Sequence, residues 1–237
     1  MKAIDILEET KRYPTFNLAL FSSILNKDRP YARVYLHRLK ERRLISQLQR
    51  DVYTSQDDPF CIASCIIWPS YISLWSALRH YNLTEQNPHA IFVVTPRKKR
   101  KTTILFKKTA IIFKYLKPCY FFGYTKEYLN GFDLFIAEPE KALIDAVLLK
   151  AVSLSEVFSI LKENKTTFDD KKLLKYTKQT KNNCLNKRMG WMLEQISVDV
   201  HNILPVNTTY IPLDYTKPRT GRKNTRWKII ENMETKV

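Results

Sequence analysis

The first 56 residues carry three apolar-periodic stretches followed by a weakly alternating one, an order that admits few folds. Ile4, Ile6 and Leu7 give a short apolar face to a first helix, which ends near Tyr13-Pro14 because the residue before a proline is pushed out of the helical region. A second helix is expected over Phe16–Leu25, with Leu18, Phe21, Ile24 and Leu25 at helical spacing. Asp28 then offers an N-cap, and Pro30 stands in the first turn of a third helix, where its missing N–H costs little. That helix runs to about Arg43 around a stripe of Ala32, Tyr35, Leu36 and Leu39. Leu44–Thr54 alternates weakly about a polar Gln49-Arg50-Asp51 tip, which predicts two short strands and a turn. Three helices and a β-hairpin in this order predict a winged helix-turn-helix over residues 1–56.

On the third helix Arg29, Arg33, His37 and Lys40 recur at steps of four, four and three, which places them on one face away from the apolar stripe. In a helix-turn-helix the second helix of the motif enters the major groove, and arginines in its N-terminal half reach guanine edges. Tyr31, Arg38, Arg42 and Arg43 flank that face as candidate phosphate contacts, and Arg50 at the hairpin tip suits a wing lying along the backbone. Basic side chains on an exposed helix are commonly no more than a solvated face. Here the face coincides with the expected order of elements, and double-stranded DNA is the partner it predicts.

Charge supports that partner. Forty Lys+Arg stand against 23 Asp+Glu, a formal charge of +17, which calls for nucleic acid or an anionic surface. No apolar stretch approaches the roughly 20 residues needed to span a bilayer, so no membrane role is expected. Met1–Thr10 mixes acids and a lysine with its apolar residues, unlike a signal peptide, and a cytoplasmic location is expected. With four glycines in 237 residues there is no Gly-rich phosphate loop, and no cofactor is expected. Cys61, Cys65, Cys119 and Cys184 are too few and scattered for a disulfide framework or a zinc site and read as reduced core residues, with Cys61 and Cys65 on one helical face.

Beyond the Ser55–Pro59 linker the pattern becomes mixed, and the whole chain is expected to be α+β. Helix-like stretches at Tyr71–His80, Pro139–Ala151, Leu154–Lys162 and Lys187–Leu204 alternate with strands at Ala90–Thr95, Thr103–Phe106, Ile111–Tyr115 and Phe132–Ala137. Residues 60–204 form the expected second domain, with 205–237 as a basic extended segment packed on it. Arg97, Lys98, Lys99, Arg100 and Lys101 fall in an expected hairpin between two strands, either as a solvated loop or as an auxiliary contact to phosphate or an acidic partner. Arg219, Arg222 and Lys223, near Trp227, are a further candidate set, unless Trp227 only anchors a polar tail.

An enzymatic alternative is a nuclease-like protein whose winged helix delivers substrate. Its only candidate acid cluster is Asp133, Glu138, Glu140 and Asp145 with Lys141 nearby, and Pro139 stands where the familiar nuclease spacing needs an acid. Glu138 and Glu140 flank a proline at a helix start, where acids complement the helix dipole. His37, His80, His89 and His201 form no local metal or triad spacing, and the expectation is no catalytic or metal site.

Four stretches are similar to one family. "YARVYLHRLKERRLISQLQRDVYTS" from Tyr31 resembles the winged helix of AbiEi-type antitoxins and related archaeal and bacterial regulators. "PSYISLWSALRHYNLTEQNPHAIFVVT" from Pro69 with "FIAEPEKALIDAV" from Phe135 resembles their second domain, and "IPLDYTKPRTGRKNTRWKIIEN" from Ile211 resembles the end of the archaeal members. One departure is that such wings turn on a Gly before Val-Tyr, where this chain has Asp51. The resemblance implies a repressor of its own operon; a monomer or homodimer is expected, with an inverted repeat upstream of the gene as the place to look for the operator. It also implies an antitoxin role against a nucleotidyltransferase-like toxin encoded by a neighbouring gene, with no stable complex required.

Overall fold

The computed structural model describes residues 3–86, 89–201, 203, 205 and 207–233. In chain order the elements are α1 (Ala3–Lys11), α2 (Leu18–Leu25), α3 (Arg29–Glu41), β1 (Ser46–Gln49), β2 (Val52–Thr54), α4 (Pro59–Ala63), β3 (Tyr71–Ile72), α5 (Leu74–His80), β4 (Ala90–Thr95), β5 (Thr103–Phe106) and β6 (Thr109–Tyr115). A 3-10 turn (Pro118–Tyr120) leads to β7 (Tyr124–Leu129), β8 (Phe132–Ala137), α6 (Pro139–Leu148), α7 (Leu154–Glu163), α8 (Asp170–Gln179), α9 (Asn183–Gln195), β9 (Ile211–Pro212), β10 (Arg222–Asn224) and β11 (Ile229–Glu231). The chain is α+β. Two compact units form, one from Met1–Ile72, Pro88–Tyr115 and Thr125–Ile136, the other from Ser73–Asn87, Leu116–Tyr124 and Ala137–Val237.

In the first unit α1 to β2 follow the expected order. The turn between α2 and α3 is made by two caps. Asn26 ends α2 in the left-handed region at φ 49°, and the Asp28 carboxylate accepts from Tyr31 N–H at 3.1 Å to start α3. Ile6, Phe16, Phe21, Ala32, Leu36, Leu39 and Ile45 form the core beneath these helices. Each large side chain so buried contributes about 1.5–3 kcal/mol relative to exposure. The hairpin is closed by Arg50 and Asp51 between the paired Gln49 and Val52. Asp51 holds φ 56°, the left-handed conformation that favours glycine, and its Oδ1 accepts from Leu18 N–H at 2.9 Å. The side chain thus caps α2 from a position where a glycine could only turn the chain.

The same unit contains a six-stranded mixed sheet, ordered β5-β6-β4-β3-β8-β7. β4 runs parallel to β6, and β5 is antiparallel to β6. Arg97–Lys101 therefore joins two strands separated by a third, and the expected hairpin there is corrected to a crossover. Tyr71–Ile72, expected to open a helix, is instead a buried strand next to β4, and the helix begins at Leu74. Both of its residues are fully buried, a fate that two consecutive apolar side chains meet in a sheet interior.

In the second unit, helices α5 to α9 accompany a three-stranded sheet ordered β10-β11-β9. α9 starts at Asn183 rather than Lys187 because Asn182 caps it, accepting from Leu185 N–H at 3.1 Å. It stops at Gln195, and its expected end at Leu204 lies outside the described residues, as do 234–237 of the C-terminal segment. That segment is not merely extended: it makes this sheet and buries Trp227 completely. The Trp227 ring lies so close to α9 that a Cβ on Gly190 would fall 2.0 Å from it. Trp227 Nε1 donates to Glu194 Oε2 at 2.5 Å, satisfying its one polar atom. Among the described residues no helix is long and apolar enough to cross a membrane.

Candidate nucleic-acid interface

α3 buries Ala32, Leu36 and Leu39 and leaves Arg29, Tyr31, Arg33, His37 and Arg38 exposed. The four basic positions expected on one face are not equivalent. Arg33, His37 and Lys40 line a cleft of about 250 Å³ with Leu36 and with Gln47 and Tyr53 of the hairpin. Lys40 is half-buried there, and Arg29 stands outside this cleft at the exposed start of the helix. His37 Nδ1 lies 4.0 Å from Glu41, one turn on. Arg42 is the helix C-cap and Arg43 follows at φ 58°, both exposed.

Gln47 and Tyr53 carry no charge to mark them in the sequence, although the alternation that buries Leu48 and Thr54 also sends these two to the other side of the hairpin. They face each other in the β1–β2 register. Burial and the Asp51 carboxylate raise the Tyr53 hydroxyl pKa above its ordinary value, while the Arg33 guanidinium pulls it back down. The cleft is thus lined with donors, and its one phenol stays protonated at neutral pH. Five rings run through the core to this point: Tyr31 stacks on Tyr35 (6.3 Å), Tyr35 on Phe21 (6.2 Å), Phe21 on Phe16 (5.8 Å) and Phe16 on Tyr53 (6.0 Å).

Arg50 is exposed at the hairpin tip. The crossover brings the second basic cluster beside it, because Lys99 Nζ donates to Gln49 Oε1 at 3.2 Å. Lys99 also sits 3.8 Å from the centroid of the Phe113 ring. Burial, and then Lys101, lower its pKa. Lys99 is therefore an anchor of the loop, whereas Arg97, Lys98, Arg100 and Lys101 are exposed. Four exposed guanidinium or ammonium groups on a loop fastened to the hairpin suit a run of phosphates.

The other candidate basic residues belong to the second unit. Arg219 donates to Tyr210 O, Lys223 lies 5.5 Å from the Tyr210 ring, and Arg222 is exposed on β10. The four acids are engaged elsewhere. Asp133 pairs with Lys126 at 3.0 Å, and Glu138 accepts from Lys172 and from the Tyr176 hydroxyl. Glu140 Oε1 accepts from Asp169 N–H at 2.8 Å. Asp145 forms a wholly buried pair with Lys141 and accepts from Ser73 Oγ at 2.9 Å. Among the described residues no three His, Cys, Asp or Glu gather to hold a metal ion.

Cys61 is buried, and its thiol pKa is pushed up to about 11, chiefly by burial. Cys119 and Cys184 are exposed, which corrects the expectation of four core cysteines, and Cys65 lies beyond the end of α4 rather than sharing its face with Cys61. Cys119 falls in the 3-10 turn and Cys184 in the first turn of α9, places where a small side chain is left uncovered.

A larger cleft, about 570 Å³ in the second unit, carries Glu85, Glu156 and Glu163 and no basic side chain, the wrong charge for a phosphate backbone. No family model matches this chain, and no curated protein matches it significantly.

Proposed function

We propose that this chain is a DNA-binding transcriptional regulator whose first 56 residues act as a winged helix-turn-helix. The observation that carries the reading is the single cleft shared by Arg33, His37 and Lys40 of α3 with Gln47 and Tyr53 of the hairpin. In this fold the recognition helix and the wing must grip one duplex together, and donors from both elements open onto that cleft. The exposed Arg50 and the loop anchored by Lys99 add phosphate contacts at the wing, and Arg29 and Arg33 supply bidentate donors for guanine. The protein then works in the cytoplasm as monomer or homodimer, the latter on an inverted repeat.

The test is selection from random duplex DNA followed by fluorescence-anisotropy titration. One sequence should be enriched, and Arg33→Ala should weaken its binding by about 1–3 kcal/mol while relaxing preference at one base pair. Equal binding by wild type and variant would sink the assignment of α3. The family resemblance supports a second role, as antitoxin to a nucleotidyltransferase-like toxin encoded beside it. Co-expression of the full-length chain with the adjacent gene tests that role, and failure to rescue growth removes it while leaving the regulator.

A further inference from the structure

The two flanks of α3 differ in chemistry. Away from the hairpin, Asp28, Pro30, Tyr31, Val34, Tyr35 and Arg38 line a shallow groove of about 430 Å³. Val34 is 52% exposed and Tyr31 51%, on a helix whose remaining exposed side chains are Arg29, Pro30, Arg33, His37, Arg38 and Glu41. A β-branched residue lowers helix propensity, and an exposed one gains nothing from burial in return. Tyr31 is held in place by its stacking on Tyr35, with ring planes 13° apart. The apolar surface is therefore small, preorganised and set beside guanidinium groups. Two side chains are too little for the contiguous patch that a protein partner covers. They match the one apolar group that base edges place in the major groove, the C5 methyl of thymine.

We infer that Val34, braced by Tyr31, reads a thymine methyl adjacent to the base contacts of the arginine flank. This inference rests on the proposal that α3 enters the major groove. In the duplex enriched by selection, each thymine is replaced in turn by deoxyuridine, which removes the methyl and keeps every hydrogen-bonding edge. At one position uracil should weaken binding of the full-length protein by about fourfold, the worth of one methyl removed from water. Val34→Ser, at an exposed site where folding is little affected, should lose the preference for thymine over uracil. If uracil is neutral at every position while Arg33→Ala still weakens binding, the methyl reading is overturned and the DNA reading stands. If selection enriches no sequence, both fall.

Discussion

Lys99 Nζ donates to Gln49 Oε1 across 3.2 Å, joining two residues fifty positions apart and fastening the most basic loop of the chain to its hairpin. The other four cations of that loop are exposed, and the proposed DNA binding should be steeply salt-dependent. Replacing Arg97, Lys98, Arg100 and Lys101 together by Gln should lower the slope of log affinity against log salt by about 0.9 for each phosphate that is no longer neutralised. Anisotropy titrations across a salt series read the slope directly. An unchanged slope would mean that the loop faces something other than DNA.

Asp51 turns the hairpin at φ 56° and caps α2 through Leu18. Asp51→Ala loses the cap and keeps the strained backbone, and should cost about 1–2 kcal/mol. Asp51→Gly should cost less, because glycine adopts this φ freely, and Asp51→Asn least, because it retains both the acceptor and tolerance of the left-handed region. Urea unfolding of the three variants gives the order, and a reversal of Ala and Gly would refute the strain at this turn.

Lys141 and Asp145 are both fully buried and one helical turn apart. Lys141→Met leaves a buried carboxylate without its ammonium partner and should cost about 3–5 kcal/mol. Adding Asp145→Asn removes the orphaned charge, keeps an acceptor for Ser73 and should recover most of the loss. Thermal or denaturant unfolding of the single and double variants decides, and additive losses would show that the pair is not coupled.

Asp214 is buried, which by itself would raise its pKa. Hydrogen bonds from Thr216 Oγ1 (2.6 Å) and N–H (2.8 Å), and from Ser155 Oγ (3.0 Å) and N–H (3.3 Å), outweigh burial and hold it below the usual carboxylate value. The folded chain therefore binds this proton less readily than the unfolded chain. The stabilisation is fully present above the unfolded carboxylate pKa near 4 and is lost as pH falls through the lower folded value. Asp214→Ala should cost about 1–3 kcal/mol at pH 7. The gap in Tm between variant and wild type should close on acidification below about pH 4. A gap independent of pH would assign the effect to packing alone.

What the sequence reveals of this fold is what its local chemistry enforces. Asp28, Pro30 and the Ala32-Leu36-Leu39 stripe announce α3 because caps and periodicity act within a few residues. β4 and β5 sit at the expected residues because their apolar runs are unbroken, and β8 because Asp133 alone interrupts its run. α8 is hard to see in the sequence because four lysines in ten residues blur its apolar stripe, and β7 because an edge strand exposing Tyr128 has little alternation to show. The crossover at Arg97–Lys101 is hidden by β6, which inserts between the strands flanking the loop. Of the candidate site, the basic residues are legible by type and spacing. Their division into a hairpin flank and an apolar-edged flank is not, because it depends on where Gln47 and Tyr53 come to rest.

The stacked rings from Tyr31 to Tyr53 have a mechanical consequence. Four successive ring contacts link the outer groove of α3 to the hairpin and brace the two elements against each other. If the two elements hold DNA as proposed, a gauge of nearly fixed span would leave the bending to the duplex. Discrimination would then extend to base pairs lying between the two points of grip, chosen for how readily they bend rather than for any edge they present.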